Sequence, residues 1–484
     1  VRLRVSAQLI NARVDEHIWS QTFDRDASDI FGIQEEIALA VVAALKVSLL
    51  DADEFRIRRR GTNDTEAYRL YLVALPHLLG RTRPPDMNVA KRSLDAAIER
   101  DPNFAAAHAG LARYYFRRAW GGLNDVEDSA RLGTAAAERA VALDPASPEA
   151  LQARANFRFW RHRFRGDYEA FVSAESDMQR AIELDPTNSV TFDDFGRAVL
   201  WHQPALASNL LEQAIRTDPL CIGPNVMIAS LLGSRGQLDA ARARCADLLE
   251  RYPDATACGM AIATLETYFG NFERAVELLR ANEKGIRGPA RIQLWSVYMS
   301  LGDRAGALQW LDFGDLPMEK PLSAAARFAM DGRYEQAYEV LEQHRGEYPL
   351  SLLLDLPTAR FALIAGKPQQ ALRILQQRLP DLASGIEPIS ARNVMPALDL
   401  VTAQLQTGAK SQARALLERV AFFLDGPDVP RLPLFAFQSA RAHALAGDPD
   451  AAMRALDRAY AEGLRTTWAL DLRPQSLLYL DPIE

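Results

Sequence analysis

The sequence lacks the features that would mark a membrane or secreted protein. No uninterrupted apolar run approaches the ~20 residues needed to cross a bilayer, so we expect no membrane span within these residues. Three cysteines, Cys221, Cys245 and Cys258, are too few for a disulfide framework and lack metal-ligand spacing. We therefore expect buried free thiols in a reducing compartment. This favours a cytoplasmic location, and the alternative is a periplasmic one behind an upstream transmembrane helix.

Positive charge is also limited. The formal net charge is −7, and only six of the 56 basic residues are lysine, the rest being arginine. General nucleic-acid binding usually needs a basic face, so we expect this chain to bind no nucleic acid. Arginine side chains can nevertheless bind a carboxylate through two parallel hydrogen bonds.

Catalytic motifs are missing as well. There is no glycine-rich phosphate loop, no His-Glu-x-x-His, no Cys-x-x-Cys and no nucleophile elbow, and the seven histidines are dispersed. We therefore expect no catalytic residue, no bound metal and no cofactor in this chain. We predict that it is not an enzyme; any catalytic or DNA-binding domain of the parent protein would lie upstream.

What the chain does contain is repetition. A segment with alanine five residues before proline, and aspartate directly before that proline, occurs four times. It occupies residues 97–102, 140–145, 181–186 and 214–219. Proline cannot continue a helix, so each copy predicts a helix end. Spacings of 43, 41, 33 and 34 residues between Pro102, Pro145, Pro186, Pro219 and Pro253 indicate a helix–turn–helix repeat, with insertions near residues 121–124 and within 167–176.

A second marker runs through the later half. Seven glycines are each followed by alanine five positions later and by a larger apolar residue nine positions later. They are Gly236, Gly270, Gly302, Gly332, Gly366, Gly408 and Gly447. Glycine permits the left-handed conformation that ends a helix, and alanine lets the next helix approach closely. The series predicts a turn and a buried helix face in every unit.

Residues 270–275, 332–337 and 181–186 resemble the turn and the closing segment of the tetratricopeptide repeat. The resemblance implies an all-α fold, a right-handed superhelix of about eleven helix pairs over residues 62–462. The turn at His202, Gln203 and Pro204 departs from it, since glycine is missing there. Residues 463–484 are apolar, and we expect them to cap the last repeat.

The first 58 residues follow a different pattern. Apolar residues alternate with polar ones from Val1 to Leu9, a turn follows at residues 11–16, and a second strand is predicted from His17 to Phe23. An amphipathic helix is then predicted from about Ile30. Residues 8–12, 17–20, 23–26 and 34–38 resemble the end of the TolB-like amino-terminal domain, a small α/β segment that precedes helical repeats in bacterial multidomain regulators. The resemblance implies that more of this domain lies upstream. The exposed hairpin edge would then be covered by a partner or by another copy of the chain, giving a homo-oligomer.

Arginine and aromatic residues are concentrated in the first helices of the early repeats. Arg113, Asn156 and Arg197 each lie eleven residues after a marker proline, and Phe116 and Phe159 lie fourteen after one. Equivalent positions in stacked units form a stripe. The candidate partner-binding residues are therefore Arg113, Phe116, Arg117, Asn156, Phe159, Trp160 and Arg197, with arginine holding a carboxylate and aromatic side chains anchoring a peptide. The alternative is that the aromatic side chains fill the core and the arginines face solvent.

The resemblances imply a protein–protein interaction scaffold, or a regulatory or sensor module, in a bacterial signalling or transcription regulator. The partner would be a protein or peptide in the concave groove of the tetratricopeptide array. Proteins of this layout often carry an upstream winged-helix domain or a class III nucleotide cyclase domain. One alternative is therefore the regulatory region of a class III cyclase, and another is a small-ligand sensor.

Overall fold

The structure is a computed structural model that describes residues 2–11, 14–26, 30–44, 61–79, 86–120, 126–219, 221–252, 256–281, 288–312, 319–347 and 352–464. Two strands and 24 helices occupy these ranges. The strands are β1 (Arg2–Asn11) and β2 (Glu16–Asp26). The helices before the midpoint are α1 (Ile30–Ala44), α2 (Thr65–Leu78), α3 (Met87–Arg100), α4 (Ala105–Trp120), α5 (Val126–Leu143), α6 (Pro148–Arg165), α7 (Tyr168–Leu184), α8 (Ser189–Val199), α9 (Pro204–Thr217), α10 (Ile222–Ser234) and α11 (Leu238–Arg251). The remainder are α12 (Thr256–Tyr268), α13 (Phe272–Ala281), α14 (Gly288–Ser300), α15 (Arg304–Leu308), α16 (Glu319–Met330), α17 (Tyr334–Arg345), α18 (Leu352–Ile364), α19 (Pro368–Arg378), α20 (Pro380–Ser384), α21 (Val394–Gln406), α22 (Lys410–Leu424), α23 (Pro433–Ala446) and α24 (Pro449–Ala461).

The amino-terminal strands form the predicted hairpin. β1 pairs antiparallel with β2 in a register that runs from Arg2 opposite Asp26 to Asn11 opposite Glu16. Side chains along β1 alternate between exposed and half-buried positions, as the period-two sequence pattern requires. Phe23 on β2 and Ile33 on α1 are the buried apolar side chains described here. The predicted order of strand, turn, strand and helix is confirmed, and β2 reaches three residues further than expected.

From α2 onward the helices pair into hairpins, eleven of them in the described residues. Each of the seven marker glycines adopts a positive φ between 69° and 87°, which ends the first helix of its pair. The alanine that follows each of them five residues later is at most 2% exposed. In the last two units the residue eight positions after the glycine, Leu416 or Ala455, is buried, while the predicted Leu417 and Leu456 are half-buried. The all-α tetratricopeptide-type fold with a short α/β segment is confirmed.

The aspartate–proline marker works as a helix terminator with a cap. The backbone amide of Asp185 donates to the Ala181 carbonyl, and the Asp185 carboxylate then accepts from the backbone amide of Thr187 at 3.1 Å. Asp101 and Asp144 accept the same backbone bond two residues ahead. Aspartate therefore satisfies an amide that the helix can no longer pair, which explains its place before proline.

The longer spacings of the early repeats have a simple origin. Residues 168–184 form the continuous helix α7, and α5, α6 and α7 have 18, 18 and 17 residues, whereas α8 has 11. The extra residues expected as an insertion within 167–176 are therefore helical turns. The other expected insertion, at residues 121–124, lies outside the described residues, as do residues 465–484 of the expected cap.

The chain separates into two compact units, and their boundary falls within α6 between residues 154 and 155. In the second unit, contacts join segments that are far apart in the sequence. The backbone amide of Tyr168 donates to Asp381, 213 residues away, and Arg392 donates to the carbonyl of Arg163, 229 residues away. A side chain at Gly166 would collide with the backbone oxygen of Arg378. Residues 163–168, near the beginning of this unit, therefore lie against residues 378–392.

Two of the three cysteines form a disulfide bond. Cys245 on α11 and Cys258 on α12 are joined, and Cys221 is the remaining free thiol. The expectation of buried free thiols was therefore wrong for this pair. Their Cα atoms lie 5.5 Å apart because successive helices bring the two residues face to face, a proximity that spacing in the sequence does not reveal.

Among the described residues, no helix is both long and apolar enough to cross a membrane.

Candidate functional site

The first group of predicted binding residues lies on α4. Arg113, Phe116 and Arg117 have the spacing i, i+3 and i+4, which places them on one face of the helix. Arg113 and Phe116 are half-buried, and Arg117 is exposed. Beside them, Tyr114 and Tyr115 meet edge to face, and the Arg118 guanidinium lies 5.9 Å from the centre of the Tyr114 ring. This face combines positive charge with accessible aromatic surface.

The second group lies on α6 and α8, and most of it points inward. Phe159 is 7% exposed and packs against Phe171 and Phe195, with ring centres 5.4 and 6.2 Å away. Trp160 is 2% exposed. The burial of Phe159 and Trp160 agrees with the alternative interpretation of the sequence, in which the aromatic residues fill the core.

The polar members of the second group have partners within the chain. Asn156 is buried and donates to Asp194 at 2.9 Å. Arg197 donates to Asp193 at 2.7 Å and retains 42% of its side-chain exposure. A side chain at Gly223 would displace the end of the flexible Arg197 side chain, so Gly223 leaves room for the guanidinium in this position. Four predicted residues thus belong to the second unit and three to the first, and a continuous stripe through all seven stays a prediction.

A buried cluster that the sequence analysis missed lies in the second unit. His162 sits near the end of α6, His202 in the turn between α8 and α9, and Glu387 in the non-helical segment between α20 and α21. The two Nε2 atoms are 3.2 Å apart, and His162 Nε2 is 3.7 Å from Glu387 Oε1. All three potential ligand atoms lie within 4.8 Å of one another.

Packing and hydrogen bonds fix these side chains. The rings of His162 and His202 lie 4.9 and 4.7 Å from the ring of Phe171, which holds both imidazoles against an aromatic surface. Asn393 donates to Glu387 Oε1 at 3.0 Å. His162 is 4% exposed and Glu387 2% exposed, so this polar cluster is largely shielded from water.

Burial keeps both imidazoles neutral. It lowers the pKa of His162 well below its ordinary value, and it lowers the pKa of His202 to about 3, in each case with help from the nearby Arg392 cation. Burial also raises the pKa of Glu387 to about 7, against the lowering effect of the Asn393 hydrogen bond and the Arg392 charge. Neutral imidazole nitrogens and a carboxylate are the donors that Zn²⁺ and similar ions bind.

Local sequence offered only weak signals for this cluster. His202 occupies the one helix turn noted to lack glycine, and Glu387 follows Gly385 in a stretch without helical periodicity. Nothing in the sequence indicated that these two segments meet, because the ligands come from places far apart in the chain.

A second buried polar group links three first helices in the second unit. Asp399 on α21 accepts from Arg360 on α18 at 2.6 Å and from Arg441 on α23 at 3.1 Å. Each of the three side chains is at most 2% exposed. Two guanidinium groups therefore converge on one buried carboxylate.

Comparison with known proteins gives local rather than full-length similarity. No protein-family model matches the chain. A protein of Rhizobium meliloti (strain 1021) named "Putative adenylate cyclase 3" is 33% identical over 165 residues, which is 34% of this chain. The chain spans 28% of the length of that relative.

Similar solved structures include repeat proteins. A tetratricopeptide repeat protein from Parabacteroides merdae is 14% identical, with 51% of this chain and 91% of that chain covered and a TM-score of 0.36. YrrB, named as a tetratricopeptide repeat protein with an unusual peptide-binding site, is 19% identical, with 45% and 96% covered and a TM-score of 0.28. The human IFIT1 dimer with m7Gppp-AAAA is 15% identical, with 90% and 95% covered and a TM-score of 0.36.

Proposed function

We propose that this chain is a non-catalytic interaction module that binds an acidic peptide or protein segment through the basic and aromatic face of α4. Arg113, Phe116 and Arg117 carry this proposal, because they share one helix face in a repeat fold whose stacked hairpins offer extended surfaces. A guanidinium forks onto a carboxylate, and a half-buried phenyl ring offers apolar contact to a neighbouring side chain.

The wider setting we propose is a bacterial signalling or transcription regulator. The resemblance of the first 58 residues to the end of a TolB-like domain supports this setting. The local similarity to "Putative adenylate cyclase 3" supports the version in which the chain is the regulatory region of a nucleotide cyclase. In that case the interaction module would transmit partner binding to a catalytic domain elsewhere in the protein. We further propose that the hairpin of β1 and β2 completes a larger α/β domain or pairs with a second copy.

A direct binding experiment tests the peptide-binding face. Two fluorescein-labelled peptides of equal length, one of alternating Glu and Leu and the other of Gln and Leu, are titrated with the full chain while anisotropy is measured. We expect the acidic peptide to bind more tightly, and we expect Arg113→Ala/Arg117→Ala to weaken it by about tenfold or more.

The matched control is Arg131→Ala/Arg139→Ala, which removes two arginines from the partner helix α5 of the same hairpin. Arg131 pairs with the neighbouring Asp128, and Arg139 donates to Asn103. Both arginines lie on α5 and not on the α4 face that carries the proposed site. We expect this variant to bind like the unmodified chain. Equal affinity for the two peptides, or equal losses in the two variants, would remove the support for a site on α4.

The second candidate function is small-ligand sensing. The observation that favours it is the buried group of Arg360, Asp399 and Arg441, where two guanidinium groups converge, since guanidinium groups commonly bind anions. A thermal-shift series with inorganic phosphate and with citrate tests it, and a rise that Arg441→Gln abolishes would support this alternative. No shift with either anion would leave the interaction module as the only proposal.

A further inference from the structure

His162 at the end of α6, His202 and Glu387 form the cluster whose nitrogen and oxygen atoms lie close enough to share one metal ion. Two atoms that bind one ion at about 2.0–2.1 Å in a tetrahedral site lie about 3.3–3.4 Å apart. His162 Nε2 and His202 Nε2 are separated by 3.2 Å, and His162 Nε2 and Glu387 Oε1 by 3.7 Å. The first pair needs almost no movement and the second a shift of a few tenths of an ångström, while His202 Nε2 and the Glu387 carboxylate lie within 4.8 Å of each other.

We propose that His162, His202 and Glu387 form a binding site for a divalent transition-metal ion of the Zn²⁺ type. Two imidazole nitrogens and one carboxylate oxygen are a donor set that Zn²⁺ accepts, and a water molecule would complete the tetrahedron on the half-exposed side of His202. Harder ions such as Mg²⁺ prefer oxygen ligands and are disfavoured by the two imidazoles.

The position of the site suggests its role. His162 and His202 belong to the beginning of the second unit, whereas Glu387 comes from the segment after α20. Nearby, the backbone amide of Tyr168 donates a hydrogen bond to Asp381, and Arg392 donates one to the carbonyl of Arg163. The ion would therefore lie where the beginning of the second unit contacts a later part of that unit. A bound ion would therefore fasten two distant stretches of the chain, as structural zinc sites do.

Charged side chains around the site limit its affinity for a metal cation. Arg392 donates to the Arg163 carbonyl, and both arginines are half-buried near the histidines, so their positive charge opposes a cation. The Glu387 carboxylate offsets part of this charge, and Asn393 orients it. We therefore expect selectivity to come from the two imidazoles rather than from a strongly negative field.

The competing arrangement is a hydrogen-bonded network without metal. In that arrangement one histidine donates from Nε2 and the other accepts at Nε2, which requires different tautomers of the two rings. Metal binding instead uses both Nε2 lone pairs. The two arrangements therefore predict different responses to added Zn²⁺.

The test uses the full chain after chelator treatment and gel filtration. Zinc chloride alone is added, bound metal is quantified by plasma mass spectrometry, and the melting temperature is recorded with and without the ion. We expect one equivalent per chain and a rise in melting temperature. Co²⁺ in place of Zn²⁺ should give the visible absorption of a tetrahedral nitrogen and oxygen site, a readout that does not depend on stability.

Two variants locate the site. His202→Gln removes a half-exposed ligand, and Glu387→Gln keeps the acceptor oxygen for Asn393 while removing the charge. Each should weaken Zn²⁺ binding by at least tenfold and abolish the Co²⁺ band. His443→Gln, which changes a histidine outside the cluster, should bind like the unmodified chain. Failure of the unmodified chain to retain Zn²⁺, or unchanged binding in both ligand variants, would overturn the proposal. Peptide binding by α4 is measured separately and does not depend on this result.

Discussion

Arg360 donates to Asp399 at 2.6 Å, and neither side chain is more than 2% exposed. Because Arg441 pairs with the same carboxylate, Asp399 bridges two guanidinium groups that lie on the first helices of two different hairpins. Removing one partner of a buried ion pair leaves an uncompensated charge, which costs far more than the net contribution of the intact pair.

Asp399→Asn should therefore destabilise the second unit by about 3–5 kcal/mol, since it removes the charged carboxylate that two buried guanidinium groups share. Urea unfolding followed by circular dichroism measures the change. Asp457→Asn, which alters an exposed aspartate on α24, is the control and should shift stability by about 0.5 kcal/mol or less. Equal effects of the two substitutions would contradict an energetic role for the buried group.

Substitutions at Gly166 and Gly332 distinguish the energetic cost of backbone strain from that of a steric collision. Both have positive φ, 71° and 69°, but a side chain at Gly332 meets open space, whereas one at Gly166 collides with the Arg378 carbonyl. Gly332→Ala should cost only the left-handed conformation, about 1–2 kcal/mol. Gly166→Ala should cost about 2–5 kcal/mol, because the contact between the α6–α7 turn and α19 must also open. If the two variants melt at the same temperature, the close approach at Gly166 does not contribute to stability.

The disulfide between Cys245 and Cys258 predicts sensitivity to reductant. Its ends are 13 residues apart, and closing a loop of about that size is worth about 3 kcal/mol. Dithiothreitol should lower the melting temperature of the unmodified chain. The Cys245→Ser/Cys258→Ser variant should melt at the reduced value with or without dithiothreitol. A reductant effect of the same size in that variant would point to some other cause.

Cys221 should react slowly with iodoacetamide near neutral pH. Burial raises the pKa of its thiol to about 11, and the negative charges of Asp193 and Asp218 add to the effect. The thiolate is the reactive form, so a raised pKa leaves the neutral thiol dominant at pH 8, and the alkylation rate should climb with pH toward 11. Mass spectrometry of the unreduced chain should find a single modified cysteine. Glutathione is the reference, and matching rates at pH 8 would show that the thiol is not shielded.

Much of the fold was predictable because its signals are local. An aspartate that caps a helix end marks the early units, and a glycine with positive φ followed by a closely packed alanine marks the later ones, and each of these signals acts over about ten residues. Gly332 and Ala337 therefore mark a turn and a contact without knowledge of anything else in the chain. The amino-terminal hairpin was predictable for the same reason, since alternation along β1 encodes one half-buried face.

The candidate sites were less predictable. Counting from the marker prolines predicted a stripe that includes Arg113 and Phe116, but the same counting could not tell that Phe159 packs against Phe195 rather than facing a partner. The helix period predicts the face on which a side chain lies, whereas its burial depends on which residues of the next hairpin pack against that face.

By itself, the sequence determined the hairpin unit, its number of copies and the positions of its turns, since each of these depends on neighbouring residues. Only the tertiary structure decided which distant residues meet. Cys245 meets Cys258 and Asp399 joins Arg360 to Arg441 because neighbouring helices and hairpins pack at particular angles, whereas His162 lies beside Glu387 because such angles accumulate over many repeats. Such contacts depend on the summed geometry of the array, and no local pattern of residue types records it.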